Sequence, residues 1–406
     1  MHILLAFSGG LDTSYLLRRF VAEGHQVSAI TVDTGGLDPT ARVALAERAR
    51  ALGATAYACV EARQRVYDQH ISYLIKGNVR RGGVYPLCVG AERVVQAQVV
   101  AEQARLLGAD AVAHGSTGAG NDQIRFDVAI RTLLPGARIL TPIRDERITR
   151  AQSAEYLAAH GFPVSAERRD YSINQGIWGV TIGGRETHDP WLALPDAAWP
   201  TTVHPREAPA CGVDVTIAFE RGLPVAGLGT VEELNALGAA HGIGRGMHLG
   251  DTILGIKGRV AFEAPGAAIL LDAHRELEKL VLTRWQQLQK DQLAAFYGMM
   301  LHEGQFFDPV MRDVEAFLDS SQVRVTGDVR VHLERGRIDV LGVRSPWSLV
   351  DEAAGRYGEE NALWSAADAR GFAAVYGLQG VLAERARVRV EGAGAARGSK
   401  GDGGVP

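Results

Sequence analysis

The apolar positions of the first 165 residues alternate between two periods. Ile3–Phe7 is a short apolar run, too brief for a helix and bounded by polar residues, and predicts a strand. Positions 11, 15, 16, 17, 20 and 21 place apolar side chains on one face of a helix over Leu11–Glu23, and Gly24 supplies its stop. Val27–Val32 follows as a strand, Pro39–Leu52 as a helix closed by Gly53, and Ala54–Val60 as a third strand. A long helix over Ala91–Leu107 ends at Gly108, and Ala111–His114 is a strand that runs into a glycine-rich loop. Asp127–Leu134 reads as a helix, Arg138–Ile143 as a strand and Arg150–His160 as a helix closed by Gly161. Strands alternating with helices predict an α/β fold, a doubly wound parallel sheet whose ligands sit beyond the carboxyl ends of its strands.

Beyond about residue 165 the pattern changes to an α+β one. Segments rich in aromatic residues, proline and glycine come first (Trp178, Trp191, Pro195, Trp199, Pro200). Val213–Phe219 and Pro224–Leu228 flank Glu220-Arg221-Gly222 as a hairpin, and Thr230 with Glu233 predicts a capping box opening a helix. Helical patterns cover Ala267–Thr283, Trp285–Leu301 and Pro309–Leu318, and Val323–Val343 reads as two strands turning at Glu334-Arg335-Gly336. The segment from about Glu391 is rich in Gly, Ala and Arg and is expected to lack order. The expected organisation is a nucleotide-binding domain over 1–165, a synthetase and oligomerisation domain over 166–380, and a tail over 381–406 that is partly disordered.

Composition narrows the function classes. The 406 residues are 46% hydrophobic and 22% charged, as in ordinary globular chains, and the formal net charge of −4 disfavours broad nucleic-acid binding. Cys59, Cys88 and Cys211 are far apart, so neither a thiolate zinc site nor a disulfide framework is expected. No run of about 18 apolar residues occurs, and the N-terminus lacks the cationic region of a signal peptide. A cytoplasmic protein without a metal site of its own is therefore expected.

Two loops carry the chemistry. Ser8-Gly9-Gly10-Leu11-Asp12-Thr13-Ser14 follows the first strand and opens the first helix. Its glycines let backbone approach a ligand, and its hydroxyls and free helix N–H groups form an anion cradle. It is neither the Walker pattern nor GxGxxG. Read alone, it is either a phosphate site or a simply capped helix start. The second loop, His114-Gly115-Ser116-Thr117-Gly118-Ala119-Gly120-Asn121-Asp122-Gln123-Ile124-Arg125, offers donors to a carboxylate (Thr117, Asn121, Arg125) and an acceptor to an ammonium (Asp122). That set can detect an amino acid, or it can be a polar turn.

The seven-residue string matches the pyrophosphate loop of N-type ATP pyrophosphatases. Together, AFSGGLDTS and AHGSTGAGNDQIRF resemble argininosuccinate synthase, as do Tyr171-Ser172, Gly255-Ile256-Lys257 and Glu263-Ala264-Pro265-Gly266. The resemblance spans about residues 1–380. It is closest to a divergent bacterial branch, with Asn78-Val79 before Tyr85-Pro86 and with His302-Glu303-Gly304-Gln305. It implies a homotetrameric ligase that joins citrulline to aspartate with ATP and Mg²⁺, giving argininosuccinate, AMP and pyrophosphate. Family ATP contacts fall on Ala6, Phe7, Ser8, Gly9, Gly10, Leu11, Asp12, Thr13, Ser14, Val32 and Gly115. Aspartate contacts fall on Thr117, Asn121 and Asp122. Citrulline contacts fall on Tyr85, Asn121, Arg125, Ser172 and Thr181, the last in place of a serine. Asp12, Asp122 and Arg125 are the residues expected to serve the chemistry, Asp12 by holding Mg²⁺ or ordering its loop. No lysine or histidine general base is evident.

Three family contacts are absent: a serine is Gly90, a glutamate is Gly250 and a tyrosine is Phe262. All three lie on the citrulline side. Either Asp251 or another carboxylate replaces the glutamate, or the substrate differs there. Other adenylating ligases, such as tRNA-thiolating enzymes, usually carry paired cysteines or a basic extension. A non-catalytic paralogue is the remaining alternative. Arg80-Arg81, next to Tyr85, and Arg168-Arg169 read as solvated pairs in preference to phosphate or carboxylate contacts, His114 as a phosphate contact or a buried structural residue, and Cys88 as packing. Trp285, Phe296 and Tyr297 read as core or subunit interface.

Overall fold

A computed structural model describes residues 1–163, 171–356, 358 and 360–398. The chain divides into two compact units, Met1–Ser348 and Leu349–Pro406.

The larger unit begins with β1 (His2–Ala6), α1 (Leu11–Ala22), β2 (Gln26–Asp33), α2 (Pro39–Ala51) and β3 (Ala56–Glu61). Next come α3 (Arg63–Val66), which passes through a π-turn into α4 (Ser72–Gly77), and then α5 (Gly90–Leu107) and β4 (Ala111–Ala113). α6 (Asp122–Leu133), β5 (Arg138–Leu140), α7 (Pro142–Asp145) and α8 (Arg150–Ala159) complete this part. The five strands are parallel in the order β3-β2-β1-β4-β5. The strand period of two explains the double winding. Ile3, Leu5, Val27, Ala29, Ala111 and Ala113 pack against α1, while Leu4, Ile30 and Val112 belong to the core shared with α5. The order reverses at β1, so the loops after β1 and β4 open into the same crevice.

Sequence and structure differ here at local boundaries. α6 starts five residues before the expected Asp127, because Asn121 and Asp122 take helical geometry, and this puts Asp122 and Arg125 on one helical turn. The expected strand to Ile143 stops at Leu140, where Pro142 at the start of α7 turns the chain. Arg168-Arg169 lies outside the described residues.

The second part of the unit holds β6 (Ser172–Gly176), β7 (Gly179–Gly183), β8 (Val213–Glu220), β9 (Leu223–Pro224), α9 (Leu228–Ala240), β10 (Arg245–Asp251) and β11 (Lys257–Glu263). The long helices α10 (Pro265–Val281), α11 (Arg284–His302) and α12 (Val310–Gln322) follow, then β12 (Gly327–Glu334) and β13 (Arg337–Arg344). Two antiparallel sheets result, β10-β11-β7-β6 and β13-β12-β8-β9. The four strands of the former sheet were not foreseen from the hydrophobic pattern. α9 opens at Leu228 with Gly227 as its cap, so Thr230 and Glu233 lie inside the helix and form no capping box. Tyr297 is fully buried and Trp285 is exposed.

The smaller unit has β14 (Gly355–Arg356) paired with β15 (Glu360–Asn361), then α13 (Ala366–Tyr376) and α14 (Leu378–Gly398). Ser365 and Asp368 form a capping box for α13. Residues 391–398, expected from composition to lack order, continue α14, since alanine and arginine sustain a helix that scattered glycines only weaken.

Candidate active site

One open cleft of about 2120 Å³ lies beyond the carboxyl end of the parallel sheet and under the β10-β11-β7-β6 sheet. Single small-molecule sites usually occupy roughly 300–1,000 Å³, so this one has room for more than one ligand. Ala6 through Thr13, Val32, Tyr85, Gly115, Thr117, Asn121, Asp122, Arg125, Ser172 and Thr181 all line it.

The first loop turns at Gly9, whose φ of +71° and proximity to Leu45 exclude a side chain. Gly10 caps α1 without a side-chain bond, which leaves the N–H groups of the first turn directed at the cleft. Ser8 Oγ lies 3.2 Å from Thr13 Oγ1 and accepts from the Gly10 N–H at 3.3 Å. Ser14 is buried under the loop rather than on the cleft wall. Its hydroxyl accepts from Arg48 Nε at 2.9 Å and lies 3.4 Å from the Gly9 carbonyl. Burial raises the pKa of Asp12, and the charge of Arg150 partly offsets this.

The second loop meets the first directly. A β-carbon on Gly115 would lie 3.1 Å from Thr13 Cγ2 and 3.3 Å from Asp12 Cβ. His114 is buried and structural. Its Nδ1 accepts from the Ser116 N–H, so Nε2 carries the hydrogen and donates to Asp127 at 2.9 Å. Arg144 holds the other Asp127 oxygen at 3.0 Å. Asn121 Oδ1 accepts from the Ile253 N–H at 2.9 Å, tying this loop to the turn between β10 and β11.

Asp122 lies between two guanidiniums. Arg93 Nε donates to Oδ2 at 3.0 Å and Arg125 Nη1 to Oδ1 at 2.7 Å. Burial works against ionisation, but the two arginines outweigh it and hold the carboxyl down at about 2. Arg93 also donates to Gln96 Oε1 at 2.8 Å and to Asn174 Oδ1 at 2.6 Å. Arg125 donates through Nε to the His302 carbonyl at 2.8 Å, and its Nη2 lies 3.2 Å from His302 Nδ1.

The antiparallel sheet supplies the far wall. Its register aligns Gly246, Phe262, Thr181 and Asn174 in one row across the four strands. Tyr85 is buried, stacks on His248 with centroids 5.5 Å apart and leans on Phe262 at 5.2 Å. Its chain segment is anchored by Trp178 Nε1, which donates to the Pro86 carbonyl at 2.8 Å. Gly90 lies beside Arg125, whose Nη2 would be 3.8 Å from a β-carbon there. Asp251 also lines the cleft, and its carboxylate pairs with Lys257 at 2.6 Å.

Arg48, Arg81, Asn174, His248 and His302 also line the cleft and were not assigned from sequence. The arginine pair at 80 and 81 is not simply solvated. Arg80 pairs with Asp272 at 2.7 Å, whereas Arg81 turns to the cleft. His248 and Asn174 sit on strands that the hydrophobic pattern did not reveal, so nothing local marked them.

Among the described residues no group of three or more His, Cys, Asp or Glu side chains could hold a metal ion. No described helix is long and apolar enough to cross a membrane. Cys88 is buried, which pushes its thiol well up and marks it as packing.

Residues 2–163 match the arginosuccinate synthase N-terminal HUP domain and residues 171–383 match the arginosuccinate synthase C-terminal domain. The argininosuccinate synthase of Xylella fastidiosa is 38% identical over 399 residues, covering 94% of this chain and 96% of that protein. That of Pyrobaculum aerophilum is 38% identical over 399 residues, covering 95% and 98%. That of Methanocaldococcus jannaschii is 36% identical over 394 residues, with the same coverage. Both halves of the cleft and nearly the full chain are thus accounted for by one group of ligases, and the chain belongs to the argininosuccinate synthase family.

Proposed function

We propose that this carbon–nitrogen ligase joins a citrulline-type ureido acceptor to aspartate through an adenylated intermediate. The observation that carries the reading is the contact of the two loops in one cleft, with Gly115 against Asp12 and Thr13. That contact brings an anion cradle and an amino-acid detector within reach of one another.

A ureido oxygen leaves poorly from carbon. Bonding it to the α-phosphorus of ATP expels pyrophosphate and converts the oxygen into part of an AMP leaving group. The N–H groups and hydroxyls of residues 8–13 face the charge that grows on the departing pyrophosphate. The aspartate amine then attacks the activated carbon, a C–N bond forms, the C–O bond to AMP breaks, and the amine gives up a proton. Asp122 accepts from that amine, and Thr117 and Asn121 donate to the aspartate carboxylates. Tyr85, Arg125, Ser172 and Thr181 line the acceptor end. Holding both amino acids in one cleft makes the second step effectively unimolecular.

Asp12 fits a supporting role toward Mg²⁺, since a single carboxylate suffices where phosphates provide the other ligands. Bound there, Mg²⁺ would neutralise phosphate charge. The organisation into a nucleotide-binding and a synthetase domain, a homotetrameric assembly and a cytoplasmic setting complete the proposal.

The test is pyrophosphate release from ATP and Mg²⁺ with acceptor and aspartate, each omitted in turn, and product read by mass spectrometry. Release that depends on the acceptor and yields the condensed product supports the reading. Tight ATP binding without acceptor-dependent release overturns it.

A further inference from the structure

Residues 8–14 contain neither lysine nor arginine, so the first loop meets the growing charge of pyrophosphate with neutral donors only. We infer that Arg150 is a further catalytic residue, whose guanidinium contacts the β- and γ-phosphates of ATP and the pyrophosphate as it leaves. The inference deepens the ligase reading above and rests on it.

Among the described residues six arginines and no lysine line the cleft. Five of the six are engaged elsewhere. Arg48 Nε donates to Ser14 Oγ beneath the loop, and Arg93 and Arg125 hold Asp122. Arg81 donates to the Asp251 backbone carbonyl at 2.7 Å, and Arg259 to the backbone carbonyls of Asp189 and Leu192. The Arg150 side chain makes no hydrogen bond or ion pair with any described residue. Glu155 lines the same wall and forms no ion pair with it.

Its place in the fold puts this cation at the first loop. Arg150 is exposed and is the first residue of α8, whose start is fixed by the capping box of Thr149 and Gln152. α8 packs beside α1, with Tyr156 edge-on to Tyr15 and 5.0 Å between centroids. Asp12, in the first turn of α1, feels the Arg150 charge although the two form no ion pair. Both side chains line the cleft, so they border one space without closing it. A guanidinium offers phosphate oxygens two parallel N–H bonds and keeps its proton throughout. As the ureido oxygen bonds to the α-phosphorus, the bond from that phosphorus to the bridging oxygen breaks, and pyrophosphate leaves with the electron pair. A fixed positive charge beside the leaving group is worth most at that moment, because the negative charge there is growing.

The experiment uses the full chain and two readouts: calorimetric binding of inorganic pyrophosphate with Mg²⁺, and steady-state turnover with ATP, citrulline and aspartate. Arg150→Gln is expected to weaken pyrophosphate binding by about tenfold or more and to lower kcat by about 100-fold. The KM values of citrulline and aspartate stay within about twofold, since neither amino acid meets this side chain. Arg150→Lys keeps the charge without the planar fork and is expected to recover about tenfold of the loss in kcat. Both variants are expected to melt with the parent chain, because the α8 cap does not use the Arg150 side chain. Pyrophosphate affinity and kcat within about twofold of the parent in Arg150→Gln overturn the inference and leave the ligase reading standing. Equal weakening toward pyrophosphate, citrulline and aspartate does the same, since it makes Arg150 structural. Absence of citrulline-dependent pyrophosphate release in the parent chain overturns the ligase reading, and the inference falls with it.

Discussion

Arg93→Met tests whether Asp122 acts through its position. Arg93 is the link between α5, the first turn of α6 and β6, through Asp122, Gln96 and Asn174 at 3.0, 2.8 and 2.6 Å. Methionine keeps much of the volume and removes all three bonds. Gln96 and Asn174 can turn their amides toward other partners, and Asp122 keeps Arg125, so the stability cost is about 2–4 kcal/mol rather than the sum of three charged bonds. Asp122 ionises at about 2 in the folded chain, below its ordinary 3.8, so its contribution to stability is present above 3.8 and is lost as pH falls through about 2. Without Arg93 that loss begins at higher pH, yet the carboxylate is still charged at neutrality. The effect on catalysis is therefore positional. Losing one well-placed charged hydrogen bond to the aspartate amine costs about 1.5–3 kcal/mol, or roughly 10–100-fold in kcat/KM for aspartate. Steady-state kinetics at saturating ATP and acceptor, beside thermal melts, measure both quantities. Arg93→Lys restores charge without the planar fork and is expected to recover the acid behaviour of Asp122 but little of the kcat/KM. A variant that melts earlier but keeps its kcat/KM for aspartate within about twofold would refute the reasoning and make Arg93 structural only.

Three further outcomes follow from single groups. Glu92 is buried, and this burial, only partly offset by Arg93 and the Thr34 hydroxyl, raises its pKa from 4.5 to about 8. Its burden on the fold is absent below 4.5, grows as pH rises between these values and is complete above about 8, so Glu92→Gln should stabilise by a few kcal/mol near about pH 9 and not near about pH 4 in urea titrations. Gly9→Ala places a β-carbon onto Leu45 at a φ of +71°. It should cost about 1–2 kcal/mol and raise the KM for ATP more than that for aspartate, and equal effects on both would count against a nucleotide role for this loop. Asp12→Ala should lower product formation by about 100-fold in a pyrophosphate-release assay, and near-normal turnover would remove Asp12 from the proposed chemistry.

The sequence by itself determined the parallel-sheet half of the molecule and the two loops that mark the cleft. Those features are local. Period-two strands, period-3.6 helices and glycine stops are written in contiguous residues, and Ser8–Ser14 lies at the junction where β1 hands over to α1. The helices α10 and α11 were legible for the same reason, within two residues at each end. Tertiary structure alone decided what each loop residue faces. Ser14 belongs to a matching string, yet Arg48, 34 positions away, draws its hydroxyl beneath the loop. His114 is committed to Asp127, and Asp122 is shared by arginines 29 residues before it and three after it. The acceptor wall was the least legible part, because it is built by register. Gly246, Phe262, Thr181 and Asn174 become neighbours only when four strands pair, and His248 fills the space at Gly250 only because residues two apart share a face of one strand. Periodicity records which face a residue takes, whereas strand pairing between distant segments decides what stands opposite it.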